Sequence, residues 1–437
     1  MAKEVVQFRN TGRNISAIIS CRTFDLENDP EIKQWIKGID AKCKKIEIKL
    51  LPERDVDNIV GKTGCNYQSF TKRQKEILLS PQHLAMWFTI RQNGSIPDFQ
   101  SETHLMQEFW ENRYQELAKR EITKKDVDAV LDVLIDYMVK NGCISAPYNM
   151  TSIDMKIYTE LNSFGIVRKD GNQILFCHQS YLDYKIAERL LQEIHQGKGD
   201  ILTWLGSKEN QSLFRREQLK QVLLLLCDDS PKKFLENVKT ILTNHNVRFH
   251  LKHLTLEIIS LIGRPQTELK EYLLELLKDD YWTQHILETV FYGKSQYIQF
   301  LNEINIVSQW LNGDDNQCNT MLWLLRSVSE IIPDIITAIL TPYISKGDAW
   351  ATKVLNNICW NAEDDSDCMF ELRLTLARTG FVSDFVNWKK LSEKYPHRSI
   401  RLMEAAFSTW TSPVLKENYL YDRGRQSRFE NWYREDI

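Results

Sequence analysis

A short apolar run, Ile174 to Cys177, leads straight into a helical pattern that begins near Ser180. A histidine stands at the junction, in Phe176-Cys177-His178-Gln179-Ser180-Tyr181-Leu182-Asp183-Tyr184-Lys185-Ile186-Ala187-Glu188-Arg189. The first turn of a helix presents N–H groups without intrahelical acceptors and a partial positive charge, so it favours anions. An imidazole there, neutral or charged, has the chemistry to contact a phosphate. The segment therefore suggests phosphate binding, provided that the rest of the chain holds a phosphate in place.

Other residues of suitable type have plainer readings. Gly61-Lys62-Thr63 has the ending of a phosphate-binding loop. Such a loop needs another glycine five positions before Gly61 and a preceding strand, so that backbone amides wrap the phosphates. Val56 occupies that position and Asp55 to Val60 reads as helix, so Gly61 is expected to be a helix C-cap. Arg22 follows the apolar strand Ile15–Cys21, and an arginine at the carboxyl edge of an α/β strand can reach a ligand in the crevice there. Taken alone, Arg22 is a surface arginine, and Pro81 in Leu79-Ser80-Pro81-Gln82-His83-Leu84 is a proline at a first helical position.

His245, His250 and His253 cluster, but no cysteine or second acidic ligand stands at zinc spacing. Asp314-Asp315 and Glu363-Asp364-Asp365-Ser366-Asp367 lack the glycine and terminal glutamate of a calcium loop. No metal site is expected. No Ser-His-Asp, Cys-His or paired-carboxylate pattern stands out by spacing, so no catalytic residue is assigned.

The elements that must position these groups are mostly helical. The 437 residues call for two or three domains. Only 17 Gly and 11 Pro punctuate them, which favours helix over sheet and turn. Residues 1–51 alternate strand, helix (Pro30 to Lys37) and strand (Ile46 to Leu50), as in the last part of an α/β domain. Residues 52–144 read as helices, with starts at Pro52-Glu53, Thr71, Pro81, Ser101-Glu102 and Thr123-Lys124. Residues 145–197 hold a helix from Ser152 to Phe164, a hairpin turning at Asp170-Gly171, and the helix after His178, an order that suggests a winged helix. Residues 198–412 alternate helices and short breaks, with first helices of successive pairs near 217, 248, 281, 315 and 347. A two-helix period of about 33 residues suggests a HEAT-like α-solenoid. Residues 413–437 form a tail.

A net charge of −3 supplies no bulk field for nucleic acid or anionic lipid. The tail interleaves Arg423, Arg425, Arg428 and Arg434 with Tyr421, Phe429, Trp432 and Tyr433. That pattern suits single-strand stacking or, as preferred here, docking on the last repeat. The basic residues of the wing are offset by acidic ones, so nucleic acid is not an expected partner. Nine cysteines without a CxxC pair fit reduced thiols in the cytoplasm. The sequence shows no signal peptide, and its apolar runs are too short to cross a membrane.

In this order the pieces resemble the C-terminal part of a STAND-class NTPase of the NACHT type. Phe176-Cys177-His178-Gln179-Ser180-Tyr181-Leu182-Asp183-Tyr184-Lys185-Ile186-Ala187 is similar to that family's winged-helix signature. Ile18-Ile19-Ser20-Cys21-Arg22 is similar to its sensor strand, and Leu78-Leu79-Ser80-Pro81-Gln82-His83-Leu84 to the proline-bearing segment of its helical subdomain. The resemblance covers about residues 1–195 by motif and the remainder by architecture. It implies that Arg22 faces the γ-phosphate side, Pro81 the adenine and His178 the β-phosphate. It also implies a mostly α fold: an α/β core remnant, a helical subdomain, a winged helix and a helical sensor array. The family's Walker A lysine and Walker B acids precede the sensor strand, and only about 14 residues precede it here. ATP or ADP is therefore expected only where a partner chain supplies the P-loop, and ATPase activity is not expected of this chain alone.

The function implied is that of a truncated or split signalling NTPase, of the kind used in prokaryotic antiviral defence. A protein ligand or effector would sit on the repeats, an NTPase half would be a further partner, and homo-oligomers are admitted. The alternative is a non-enzymatic α-solenoid scaffold in which His178 merely packs.

Overall fold

A computed structural model describes residues 49–92, 99, 101–150, 153–359, 366–382 and 387–410, with isolated positions at 34, 37, 46 and 47. Arg22, the strand Ile15–Cys21 and the tail 413–437 lie outside the described residues. Gln34 and Lys37 are helical, within the expected helix. Ile46, Glu47, Lys49 and Leu50 belong to no strand, contrary to the expected one. A strand exists only where a neighbour bonds it, and among the described residues none does so here.

The chain is mostly α, with 72% of the described residues in helices. It divides into two compact units, Met1–Leu251 and Lys252–Ile437. In the first, the helices are α1 (Glu53–Gly61), α2 (Lys72–Leu78), α3 (Pro81–Gln92), α4 (Glu102–Ala118) and α5 (Lys124–Asn141). Their starts fall where the sequence puts them because the caps are local. Thr71 and Gln74 form a capping box at α2, and Thr123 and Asp126 another at α5. At α1 the expectation needs adjusting. Gly61 is its last helical residue, Lys62 is the C-cap and Gly64 takes the left-handed turn at φ 80°.

A three-stranded antiparallel sheet follows, in the order β1-β3-β2, built from β1 (Ser145–Pro147), β2 (Val167–Asp170) and β3 (Gln173–Phe176). Between β1 and β2 lies α6 (Met155–Ser163), capped by Asp154 and shorter than the expected 152–164. The hairpin loop is Gly171-Asn172, one residue later than expected, with Gly171 at φ 58°. α7 (Gln179–His195) follows β3 and packs along α9 (Leu213–Asp229). The short α8 (Ile201–Leu205) and α10 (Pro231–Thr243) complete this part.

α11 (Phe249–Leu261) runs across the border between the units. The second unit continues with α12 (Thr267–Leu276), α13 (Asp280–His285), a π-helical turn (Ile286–Phe291), α14 (Ser295–Glu303), α15 (Ile306–Leu311), α16 (Asp315–Ser327), α17 (Pro333–Ile344), α18 (Asp348–Asn357), α19 (Asp367–Arg378), α20 (Trp388–Lys394) and α21 (Pro396–Trp410). Helices two apart touch, as in α16 with α18, α17 with α19 and α19 with α21. Starts at Leu213, Phe249, Asp280, Asp315 and Asp348 follow the spacing read from the sequence. The last turns close on a core of Phe370, Leu374, Ala377, Leu391, Leu402 and Ala405.

α7 is held by a buried ammonium. Lys185 is 7% exposed and donates to Tyr114 Oη at 2.7 Å. It pairs with Glu188 and, at 3.3 Å, with Asp128, while its Nζ sits 5.1 Å from the centre of the Trp110 ring. Tyr114 in turn donates to Asp128 at 2.5 Å. The network joins α4, α5 and α7. Lys185→Ala, which leaves two carboxylates facing each other without their cation, is expected to cost about 2–4 kcal/mol. Lys185→Met, which keeps the packed stem, is expected to cost less. Urea denaturation of the two variants checks the order.

Candidate functional site

Two helix starts that lie far apart in the sequence meet in the first unit. Gln82, the second residue of α3, donates its side-chain amide to Ser180 Oγ, in the first turn of α7. Ser180 Oγ also lies 2.9 Å from His178 Nδ1. His178 is the N-cap of α7, and its Nδ1 accepts the Ser180 N–H at 3.4 Å. An aspartate or serine would be the usual residue there, so the histidine performs a capping task with a ring that has a second nitrogen to spare. Because Nδ1 accepts, the neutral ring carries its proton on Nε2.

Local sequence explains both starts. Pro81 lacks an N–H and fits the first position of α3 without loss, and Leu84 N–H closes the first bond to Ser80 O at 3.0 Å. Helix geometry leaves the N–H groups of Gln82 and His83 without intrahelical acceptors. β3 delivers the chain to His178, with Cys177 N–H bonded to Ile166 O at 2.9 Å. Next to His178, Tyr181 stacks on Phe109 with ring centres 5.1 Å apart and meets the edge of Trp110 at 6.1 Å. This stacking fixes the roll of the helix behind the site.

His83, which follows Gln82, lies near enough to His178 to act on its charge. Burial holds the His178 pKa below the ordinary histidine value, and the neighbouring His83 lowers it further. The residue as a whole is nonetheless exposed. Burial also lowers His83, against upward pulls from Glu102 and the Ile77 carbonyl, while Lys220 and Arg73 add to the lowering. His83 Nδ1 is buried and has no partner. The arrangement offers two neutral imidazoles, a serine hydroxyl and two positive helix ends, a combination suited to holding an anion.

Of the three residues expected at a nucleotide, Pro81 and His178 stand on the two helix starts that Gln82 and Ser180 join, and Arg22 lies outside the described residues. Gln82, His83 and Ser180 were not singled out from the sequence. Their pairing spans 98 positions and leaves no local trace, although a polar pair directly after an N1 proline is a hint. Gly61-Lys62-Thr63 closes α1 instead of cradling a phosphate, with Thr63 Oγ1 bonded to Val60 O at 2.6 Å. Among the described residues no group of three or more His, Cys, Asp or Glu side chains is placed to hold a metal ion, and no helix is long and apolar enough to cross a membrane. No protein-family model matches the chain, and no curated protein matches it.

Elsewhere in the first unit, burial and the positive charges of Arg248 and Arg216 depress the His250 pKa to about 4, against the Ser212 carbonyl. His83, His178 and His250 are therefore all held below the value of about 6.5 that they take in the unfolded chain. Below pH 6.5 the unfolded state binds more protons. The stability these neutral rings retain at pH 7 is expected to fall as pH drops from about 6.5 toward 4 and then level off. Urea midpoints at pH 7 and pH 5 check this, and replacing the three histidines by glutamine should flatten the difference.

Proposed function

We propose that this chain is the helical, winged-helix and sensor part of a NACHT-type STAND NTPase, in which the paired starts of α3 and α7 bind the phosphate-bearing face of a nucleotide. The observation that carries the reading is the bond between Gln82 and Ser180, which joins the proline-bearing helix start to the histidine-bearing one. In this reading His178 presents Nε2–H to the β-phosphate, Pro81 packs on the adenine and Arg22 approaches the γ-phosphate side. The sheet with α6 and α7 is the winged helix, and the paired helices from α9 onward are the HEAT-like array that takes a protein ligand or effector. Nucleotide hydrolysis needs a phosphate loop and a magnesium site, which this reading assigns to a Walker-bearing NTPase half. That half and the effector are the partners, and ATP or ADP is the ligand. The role is signalling of the type used in prokaryotic antiviral defence.

A scaffold reading finds its support in the second unit. Tyr292 and Trp323 stack with ring centres 4.5 Å apart, and each is at least one-third exposed, a surface suited to a protein partner. The two readings differ in their response to nucleotide. The full chain alone is expected to leave ATP unhydrolysed. A fluorescent ADP is expected to bind once a NACHT-type half carrying Walker A and Walker B segments is added, with His178→Ala weakening binding about tenfold, the worth of one charge-assisted hydrogen bond. Unchanged ADP binding in His178→Ala, or robust hydrolysis by this chain alone, would remove the nucleotide reading.

A further inference from the structure

The end of α3 opposite Pro81 carries another cluster of charged and nucleophilic side chains. Past the end of α1, Thr63 N–H returns to Val60 O at 2.9 Å and Gly64 N–H to Gly61 O at 3.0 Å. Gly64 then takes φ 80°, a left-handed turn that glycine makes at no steric cost. Cys65 follows it and meets α3, where Arg91 Nε–H donates to Cys65 Sγ at 3.2 Å across 26 positions. Arg91 also lines an open cavity of about 230 Å³, together with Lys62, Thr63 and Phe88. Two cations and no carboxylate thus line the cavity, and among the described residues neither cation forms an ion pair.

The thiolate is the nucleophilic form of cysteine, and a partly exposed thiol beside fixed cations has the setting of a reactive one. Cys65 is half-buried. Hydrogen bonds from Thr63 and Arg91 hold its thiol below the ordinary value; burial opposes them and the charge of Arg91 adds to them. Thr63 has one hydroxyl hydrogen, which goes to Val60 O at 2.6 Å and can rotate toward Sγ when the thiol ionises. The other described cysteines are placed differently. Cys318 and Cys359 are buried, and Cys143 Sγ donates to Ser145 O at 3.1 Å. Burial raises Cys177, burial and Asp228 raise Cys227 to about 11, and a hydrogen bond with Asp334 raises Cys368.

We propose that Cys65 is a modification site that forms a mixed disulfide with a carboxylate-bearing disulfide, selected by the charges of Lys62 and Arg91. This chemistry is independent of the nucleotide reading. The Cys65 thiolate attacks one sulfur of the incoming disulfide. A new S–S bond forms at Cys65 Sγ while the old one breaks. The departing half leaves as a thiolate and takes a proton from solvent. Cys65 is oxidised, the departing sulfur is reduced, and no further oxidant is consumed. The Nη groups of Arg91 and the Lys62 ammonium pair with the carboxylates of the half that stays. The Phe88 ring, 39% exposed, covers its apolar part.

The test uses the full chain, reduced and near neutral pH, with three reagents: oxidised glutathione, which is net negative, neutral hydroxyethyl disulfide and cationic cystamine. Peptide mass spectrometry follows each cysteine, and every rate is divided by that of the same cysteine in the urea-unfolded chain. Cys65 is expected to react ahead of the other described cysteines. Its normalised rate with oxidised glutathione should exceed that with hydroxyethyl disulfide by about three- to fivefold, the worth of one or two exposed ion pairs, and cystamine should be slowest. Lys62→Gln should lower the glutathione rate more than the hydroxyethyl rate. Arg91→Gln should slow all three reagents, because the thiolate loses its donor, and circular dichroism of both variants separates this from loss of fold. Cys65 reacting no faster than in the unfolded chain, equal normalised rates with all three reagents, or a preference untouched by Lys62→Gln would overturn the proposal.

Discussion

The placement of α7 depends on one buried cation. Tyr181, Lys185 and Glu188 lie three or four residues apart, so they share one face of the helix. Trp110 and Tyr114 share a face of α4 in the same way. The two faces meet through the stacked Tyr181 and Phe109 rings and through Lys185, which touches Tyr114, Asp128 and Glu188 at once. An ammonium that is 7% exposed holds only with its counter-charges in place. The network therefore permits one roll angle for α7. At that angle Ser180 meets Gln82 at the start of α3. Packing on one side of the helix thus sets the polar chemistry at its end.

Features with short-range causes were legible in the sequence. Thr71 with Gln74 and Thr123 with Asp126 announce helix starts within four residues. Gly171 supplies the left-handed residue that a tight hairpin needs, and the helix period of the second half followed from its breaks. What escaped had long-range causes. β1 is three residues long, includes Pro147, and exists only because β3 bonds it. The border at Leu251 falls inside the span read as one helical array. The reason lies in α9, which packs along α7 and so groups with the helices that precede it. The site follows the same rule. Pro81 and His178 each have a local signature, whereas the Gln82–Ser180 bond arises only once both helices are packed.

α9 also bears on the site through charge. Its Asp228 accepts from Ser101 Oγ at 2.7 Å and from Thr103 Oγ1 at 2.5 Å, so a carboxylate stands at the positive end of α4. One end of α9 thereby pins the helix whose Glu102 raises the proton affinity of His83, while Lys220, near its middle, lowers it. The opposing influences on that imidazole, one raising and one lowering its affinity for a proton, come from two helices joined by the Asp228 bonds. A shift of α9 against α4 would break those bonds and unbalance the charges at His83 together. The charge balance at His83 is thus tied to α9, the long helix packed along α7.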